Sequence, residues 1–283
     1  MQQLLKNLQL LSASLPQAQR KAAEYILSHY QDVPFLSVTE LAARIGVSDT
    51  TVIKLCARLG YTGYLGFRRE LAALVRSDMT MYANLENRIE GVDGESVLDQ
   101  VMACDLQNVE RTLTDPQNRR AFPRLLERLD RARRVYVCGF RTAASQAEFL
   151  AVNLQLQDRD VRLMVPGMGH FTDELCRITR DDLFLAFVFS RYSADVVQAL
   201  SYLRERGVFC CAVTDGPSSP AYGLAELSFF CATASRSYQA SYAGCSALSN
   251  AVITAASMRR MPQTTEYLKR LEDVFARFDT FYL

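Results

Sequence analysis

The sequence predicts an all-α head over residues 1–77 and an α/β three-layer domain with a five-stranded parallel sheet over residues 125–283, joined by a helical connector over 78–124. Three observations carry this. Apolar residues before residue 77 recur at helical spacing and never alternate. From Arg134 onward, short apolar runs alternate with helical segments. Those runs are continuously apolar, as in Leu183-Phe184-Leu185-Ala186-Phe187-Val188-Phe189, which suits strands buried on both faces of a parallel sheet.

In the head, Pro16 opens a helix running to about Tyr30, with Ala18, Ala22, Ile26 and Tyr30 along one face. Pro34 lies in the loop after it. Ser37 and Glu40 form a capping-box pattern ahead of a short helix, Val38 to Arg44. Gly46 breaks the chain, and Ser48 caps the next helix, which runs to about Leu59 and stops at Gly60. A last helix, from about Leu65 to Arg76, buries Phe67, Leu71 and Leu74. Residues 77–134 hold eleven acids and nine bases, with Leu98, Val101, Leu106, Val109 and Leu113 on one or two helices. Gly91 and Gly94 are the hinge candidates there.

In the body, strands are expected at 134–138, 161–165, 183–189, 208–214 and 227–231. Helices are expected at 142–156, 171–177, 194–206, 238–260 and 263–278. Ligands in such sheets bind past the carboxyl ends of the strands, so the loops to watch are 139–142, 166–170, 190–193 and 214–220.

The chain has 283 residues, 49% hydrophobic and 22% charged, enough for two packed domains. The formal charge of +1 is unevenly spread, with nine Lys or Arg against five Asp or Glu in residues 1–76. A basic head on a faintly acidic body suits a nucleic-acid contact at one end. The longest apolar run has seven residues, so no membrane span or membrane partner is expected. The eight cysteines form no C-x-x-C pair and read as reduced, buried residues of a cytoplasmic protein. With only two histidines and no ligand cluster, neither a metal nor a cofactor is expected.

Two short helices meeting at Gly46 make a helix-turn-helix, with Leu41, Ala42, Ile45, Val47, Val52, Leu55 and Leu59 as its shared core. Its second helix would present Thr50, Thr51, Lys54 and Arg58, after the cap Ser48, to the major groove of double-stranded DNA. Arg68, with Arg69 and Arg76, would add phosphate contacts. Asp49 either opposes phosphates or strengthens its own helix N-terminus. The competing reading is a helical bundle used for protein contact. A single head reads few base pairs, so a homodimer or a dimer of dimers is expected, with Ala251, Val252, Ile253 and Ala255 as interface or as core.

In the body, Cys138-Gly139-Phe140-Arg141-Thr142 and Phe189-Ser190-Arg191-Tyr192-Ser193 are matched turns between strand and helix. Backbone N–H groups and helix starts favour an anion there. Arg141, Thr142, Ser190, Arg191 and Ser193 are the candidate effector ligands, with His170 from the loop after the second strand. The competing reading makes the serines helix caps and the arginines surface residues. There is no dinucleotide or Walker signature and no acid–base set, although Glu148 could in principle act as a base.

Leu15-Pro16, Gln19-Arg20-Lys21-Ala22-Ala23, Phe35-Leu36-Ser37, Glu40-Leu41-Ala42, Gly46-Val47-Ser48, Thr51-Val52 and Arg58-Leu59-Gly60-Tyr61-Thr62-Gly63-Tyr64 resemble the RpiR family of bacterial regulators. That resemblance implies a helix-turn-helix joined to a sugar-isomerase-type (SIS) domain, spanning roughly residues 125–270. Lys54 and Leu55 stand where the family has Arg and Phe. The family's Gly-x-Gly-x-Ser loop reads Gly139-Phe140-Arg141-Thr142-Ala143 here, and its Ser-x-Ser-Gly-x-Thr loop reads Val188-Phe189-Ser190-Arg191-Tyr192-Ser193. Arginine replaces glycine in both, which is expected to close the backbone nest and hand recognition to guanidinium groups. The resemblance implies a ligand-responsive transcription regulator, and the two arginines point to a small anionic metabolite, such as a sugar phosphate or a carboxylate, as its effector. The alternatives are a sugar-phosphate isomerase with a helical appendage, and a DNA-binding dimer with no effector.

Overall fold

The computed structural model describes residues 3–12, 14–30, 32–78, 85–86, 88–89, 91–165 and 171–282. The chain divides into two compact units, Met1–Gly91 with Ser237–Gln239, and Val92–Arg236 with Ala240–Leu283.

The first unit holds α1 (Gln3–Ser12), α2 (Gln17–Ser28), a 3-10 turn at Val33–Phe35, α3 (Val38–Ile45), α4 (Asp49–Arg58) and α5 (Tyr64–Asp78). Helix α1 precedes the first helix that the apolar pattern singles out. The capping box is complete: the Glu40 amide donates to Ser37 Oγ at 3.2 Å, and the Ser37 amide donates to Glu40 Oε2 at 2.8 Å. The Ser37 amide and hydroxyl together hold the Glu40 carboxyl below its ordinary pKa. Gly46 ends α3 at φ +74°, a left-handed turn in which a Cβ is disfavoured. Leu8, Ile26, Leu41, Leu55, Phe67 and Leu71 fill the core, and burial of such side chains contributes about 1.5–3 kcal/mol each. Val47, Leu59 and Leu74 are partly buried around it. The Tyr64 hydroxyl donates to the carbonyls of Val33 and Leu36 at 3.1 and 3.0 Å, tying α5 to the 3-10 turn.

The second unit begins with two helices, α6 (Val97–Thr114) and α7 (Pro116–Arg131). Then β1 (Val135–Gly139), α8 (Ala144–Gln155), β2 (Val161–Met164), α9 (Phe171–Arg177), β3 (Leu183–Val188), α10 (Ala194–Glu205), β4 (Phe209–Thr214) and β5 (Leu227–Phe230) alternate. Helices α11 (Ala243–Arg259) and α12 (Met261–Arg277) finish the chain. The five strands are all parallel, in the order β2-β1-β3-β4-β5. Side chains alternate between two cores. Val135, Val137, Leu185 and Phe187 meet α7, α8 and α11, while Tyr136, Cys138, Phe184 and Val188 meet α9 and α10. Val252 belongs to the first of these cores, which leaves Ala251 as the exposed member of the expected interface set.

Edge strand β5 is closed by side chains instead of another strand. Asn118 exchanges hydrogen bonds with the Phe230 carbonyl and amide at 2.7 Å each. Gln117 donates to Ser228, Thr112 accepts from Ala232, and Asn108 exchanges both bonds with Ala234. These side chains from α6 and α7 do the work of a neighbouring strand and block edge pairing. Close packing of α11 on α6 requires Gly244, where a Cβ would strike the Thr112 hydroxyl and lie 3.0 Å from the Asn108 carbonyl.

Candidate functional site

In the first unit, Ser48 caps α4: its Oγ accepts from the Thr51 amide at 3.3 Å and lies 2.9 Å from Thr51 Oγ1. Ser48 and Thr51 therefore serve the helix start, with Thr51 half-buried. Thr50, Lys54 and Arg58 are exposed along α4, while Val52, Leu55 and Cys56 face the core. Burial pushes the Cys56 thiol up to about 12, so it stays an uncharged packing residue. The Asp49 carboxylate accepts from the Thr39 hydroxyl at 2.7 Å, joining α3 to the first turn of α4. Arg68 lies on a different helix, α5, half-buried beside Tyr64. The candidates thus fall into two groups: the α4 set and Arg68.

In the second unit, β1 and β3 are neighbours, with Gly139 opposite Phe187, so the loops that follow them leave the same end of the sheet. Arg141 and Arg191 have φ of +58° and +67°. This is the left-handed region that glycine adopts freely and other L-residues adopt at a cost of roughly 1–2 kcal/mol. The arginines therefore do not close the turns, as their bulk leads one to expect; the backbone keeps the glycine shape, and the Cβ is carried outward on an exposed side chain. The same φ explains why the expected helix at Thr142 begins later. A 3-10 turn, Arg141–Ala143, intervenes before α8 starts at Ala144. Gly139 is required for a different reason: a Cβ there would lie 2.5 Å from the Ala143 carbonyl oxygen and 2.9 Å from the Ala147 Cβ.

Two residues not among the sequence candidates complete this end of the sheet. Tyr242, just before α11, places its hydroxyl 2.9 Å from Thr142 Oγ1 and its ring edge-on to Phe189 at 5.1 Å. Asp215, after β4, accepts from the Ser190 amide at 2.9 Å and from the Tyr192 hydroxyl at 3.0 Å. Burial raises the Asp215 carboxyl above its ordinary pKa, against the lowering effect of those bonds. Asp215 sits in the turn marked as a possible rim, but its role as internal acceptor depends on β4 lying beside β3. Ser193 caps no hydrogen bond with its side chain and stands half-buried at the start of α10. Glu148 is exposed on α8. His170 and the loop 166–170 lie outside the described residues. Among the described residues, no cluster of three or more His, Cys, Asp or Glu is placed to hold a metal, and no helix is long and apolar enough to cross a membrane.

One unit with an exposed helix after a glycine turn, and a second with a doubly wound parallel sheet and paired loops at its carboxyl end, define a helix-turn-helix protein with a ligand-type α/β domain. Comparison with known proteins agrees. Residues 2–77 match the helix-turn-helix domain of the rpiR family, and residues 128–258 match the SIS domain. The regulator HexR of Pseudomonas aeruginosa is 25% identical over 241 residues, 82% of this chain and 78% of its own. The sugar isomerase domain of an RpiR transcription factor from Sphaerobacter thermophilus superposes with a TM-score of 0.60 at 27% identity, covering 63% of this chain and 99% of that one. The Vibrio vulnificus NanR protein, in complex with ManNAc-6P, shares the fold at a TM-score of 0.66 and 20% identity, covering 97% of this chain and 98% of its own. The chain belongs to the RpiR family. It is a DNA-binding regulator with an SIS-type ligand-sensing domain.

Proposed function

We propose that the body binds a small anionic metabolite, a sugar phosphate or a sugar-derived carboxylate, at the mouth formed by Arg141, Thr142, Ser190, Arg191 and Ser193. Binding there modulates the affinity of the head for its operator, which Thr50, Lys54 and Arg58 contact directly and Ser48, Thr51 and Arg68 support. The observation that carries the reading is the pair of left-handed arginines after adjacent strands. Strained non-glycine backbone persists where the surroundings hold it, typically at ligand sites. On this reading the Ser190 amide is occupied by Asp215 and the two exposed guanidinium forks supply the main anion contacts.

The test is a thermal-shift and titration panel of phosphorylated and carboxylated sugars on the wild-type, Arg141→Ala and Arg191→Ala proteins. Hydrogen bonds to charged groups contribute about 1.5–3 kcal/mol, so each variant is expected to lose at least tenfold in affinity for the anion that binds. Unchanged affinity in both variants refutes the site.

The working unit in this proposal is a homodimer formed through the body. In support, α6 exposes Leu98, Met102, Leu106 and Leu113, and a groove of about 540 Å³ beside it is lined by Val109, Phe122, Leu248 and Ala251. Leu106→Glu is expected to halve the mass seen by analytical ultracentrifugation; an unchanged mass places the interface elsewhere.

A further inference from the structure

Helix α4 divides its outer face into two chemically different strips. Positions 50, 53, 54, 57 and 58 have the i, i+3, i+4, i+7, i+8 spacing that shares one side of a helix. Lys54 and Arg58 form one strip, and both are exposed. Thr50, Ile53 and Ala57 form the other, also exposed, and it presents methyl groups. Ile53 is 43% exposed although its neighbours Val52 and Leu55 are fully buried, so it is not needed to close the head's own core. The acid in the first turn of this helix, Asp49, accepts from the Thr39 hydroxyl. On this helix Ile53 adjoins the cations Lys54 and Arg58, one to two turns from the first-turn acid Asp49.

The major groove offers a matching group. Every base pair shows donors and acceptors there, and thymine adds the C5 methyl, an apolar group that other apolar side chains can contact. Isoleucine is branched at Cβ and stiff about χ1, so little side-chain freedom is lost when it docks against such a methyl. We infer that Ile53 contacts a thymine C5 methyl and sets a T·A preference at one position of each half-site, while Lys54 and Arg58 engage phosphates or hydrogen-bonding base edges. This rests on the DNA-binding reading of α4 and adds to it a base choice that a cationic residue does not make.

The experiment uses the full chain and duplexes of about 25 base pairs enriched from a randomised pool by the wild-type protein, a length that spans two half-sites one to two helical turns apart. Each thymine of the enriched duplex is replaced singly by deoxyuridine, which keeps the base pair and removes only the methyl. Wild-type affinity is expected to fall about fourfold at one position per half-site, the effect of burying a single methyl-sized group. Ile53→Ala is expected to bind the parent duplex that much more weakly and to lose all sensitivity to the uracil at that position. Ile53→Val, which keeps the branch, is expected to retain most of it. Equal uracil penalties in wild type and Ile53→Ala, or no penalty at any thymine, overturn the inference. Failure to enrich any duplex overturns the DNA-binding reading itself, and this inference with it.

Discussion

The turn at Gly46 in the head and the turns at Arg141 and Arg191 in the body take the same left-handed backbone and fill it differently. At Gly46 the residue matches the conformation, and the turn joins two helices that bury Leu41, Ile45, Val52 and Leu55 against each other. In the body the residue resists the conformation in a turn between a strand and a helix, and beside Arg191 the Asp215 carboxylate accepts from the Ser190 amide. The head's turn is built for stability. The body's turns carry strain on exposed, charged side chains, which is what a binding loop retains and a scaffold loop loses.

Six substitutions sharpen or break this contrast. The largest effect is expected from Lys54→Ala in the head: a contact to base or phosphate contributes about 1–3 kcal/mol, doubled when two heads bind together. Affinity for an enriched duplex should fall at least tenfold, and the dependence on salt should change if the lysine meets phosphate. Unchanged strength and salt slope would exclude α4 from the groove. Next comes Gly139→Ala, where the new methyl meets the Ala143 carbonyl. Overpacking of this kind costs about 1–3 kcal/mol, so the body should unfold at lower urea concentration.

The contrast itself is tested by exchanging residue types. Gly46→Ala should destabilise the head by about 1–2 kcal/mol, whereas Arg141→Gly and Arg191→Gly should each stabilise the body by about 1 kcal/mol while weakening anion binding. If the arginine variants lose stability, their side chains hold the loops and the strain account fails. The smallest effect concerns acid. Glu40 has a lowered carboxyl pKa in the fold, so its contribution is complete above the ordinary value of 4.5 and is lost as pH falls through the lowered value. Glu40→Gln should flatten the acid side of the head's stability curve; an unaltered curve would show that the Ser37 bonds contribute nothing.

Much of the fold was legible from residue pattern. Ser37, Glu40, Gly46 and Ser48 announce their caps and turn because capping depends on atoms three or four residues apart. The strands were legible because continuous apolar runs have no other use in a chain of this composition. Helix α1 was less so, since its apolar residues are mixed with polar ones and no Ser, Thr, Asp or Asn precedes it in the sequence. The groups on α6 and α7 that close β5 were also missed. Asn108, Thr112 and Asn118 look like ordinary polar helix residues until the strand they serve is placed beside them.

The site divides in the same way. Its loops could be located from sequence, because a turn between an apolar strand and a helix has a local signature. Local chemistry also marked Arg141 and Arg191 as departures from a glycine pattern. That they keep the glycine backbone, that Asp215 occupies the Ser190 amide, and that Tyr242 reaches Thr142 from a hundred residues away were decided only by the folded chain. The reason is physical: caps and strands answer to neighbours in sequence, whereas strain is held and long-range hydrogen bonds are made only once separate strands and helices converge.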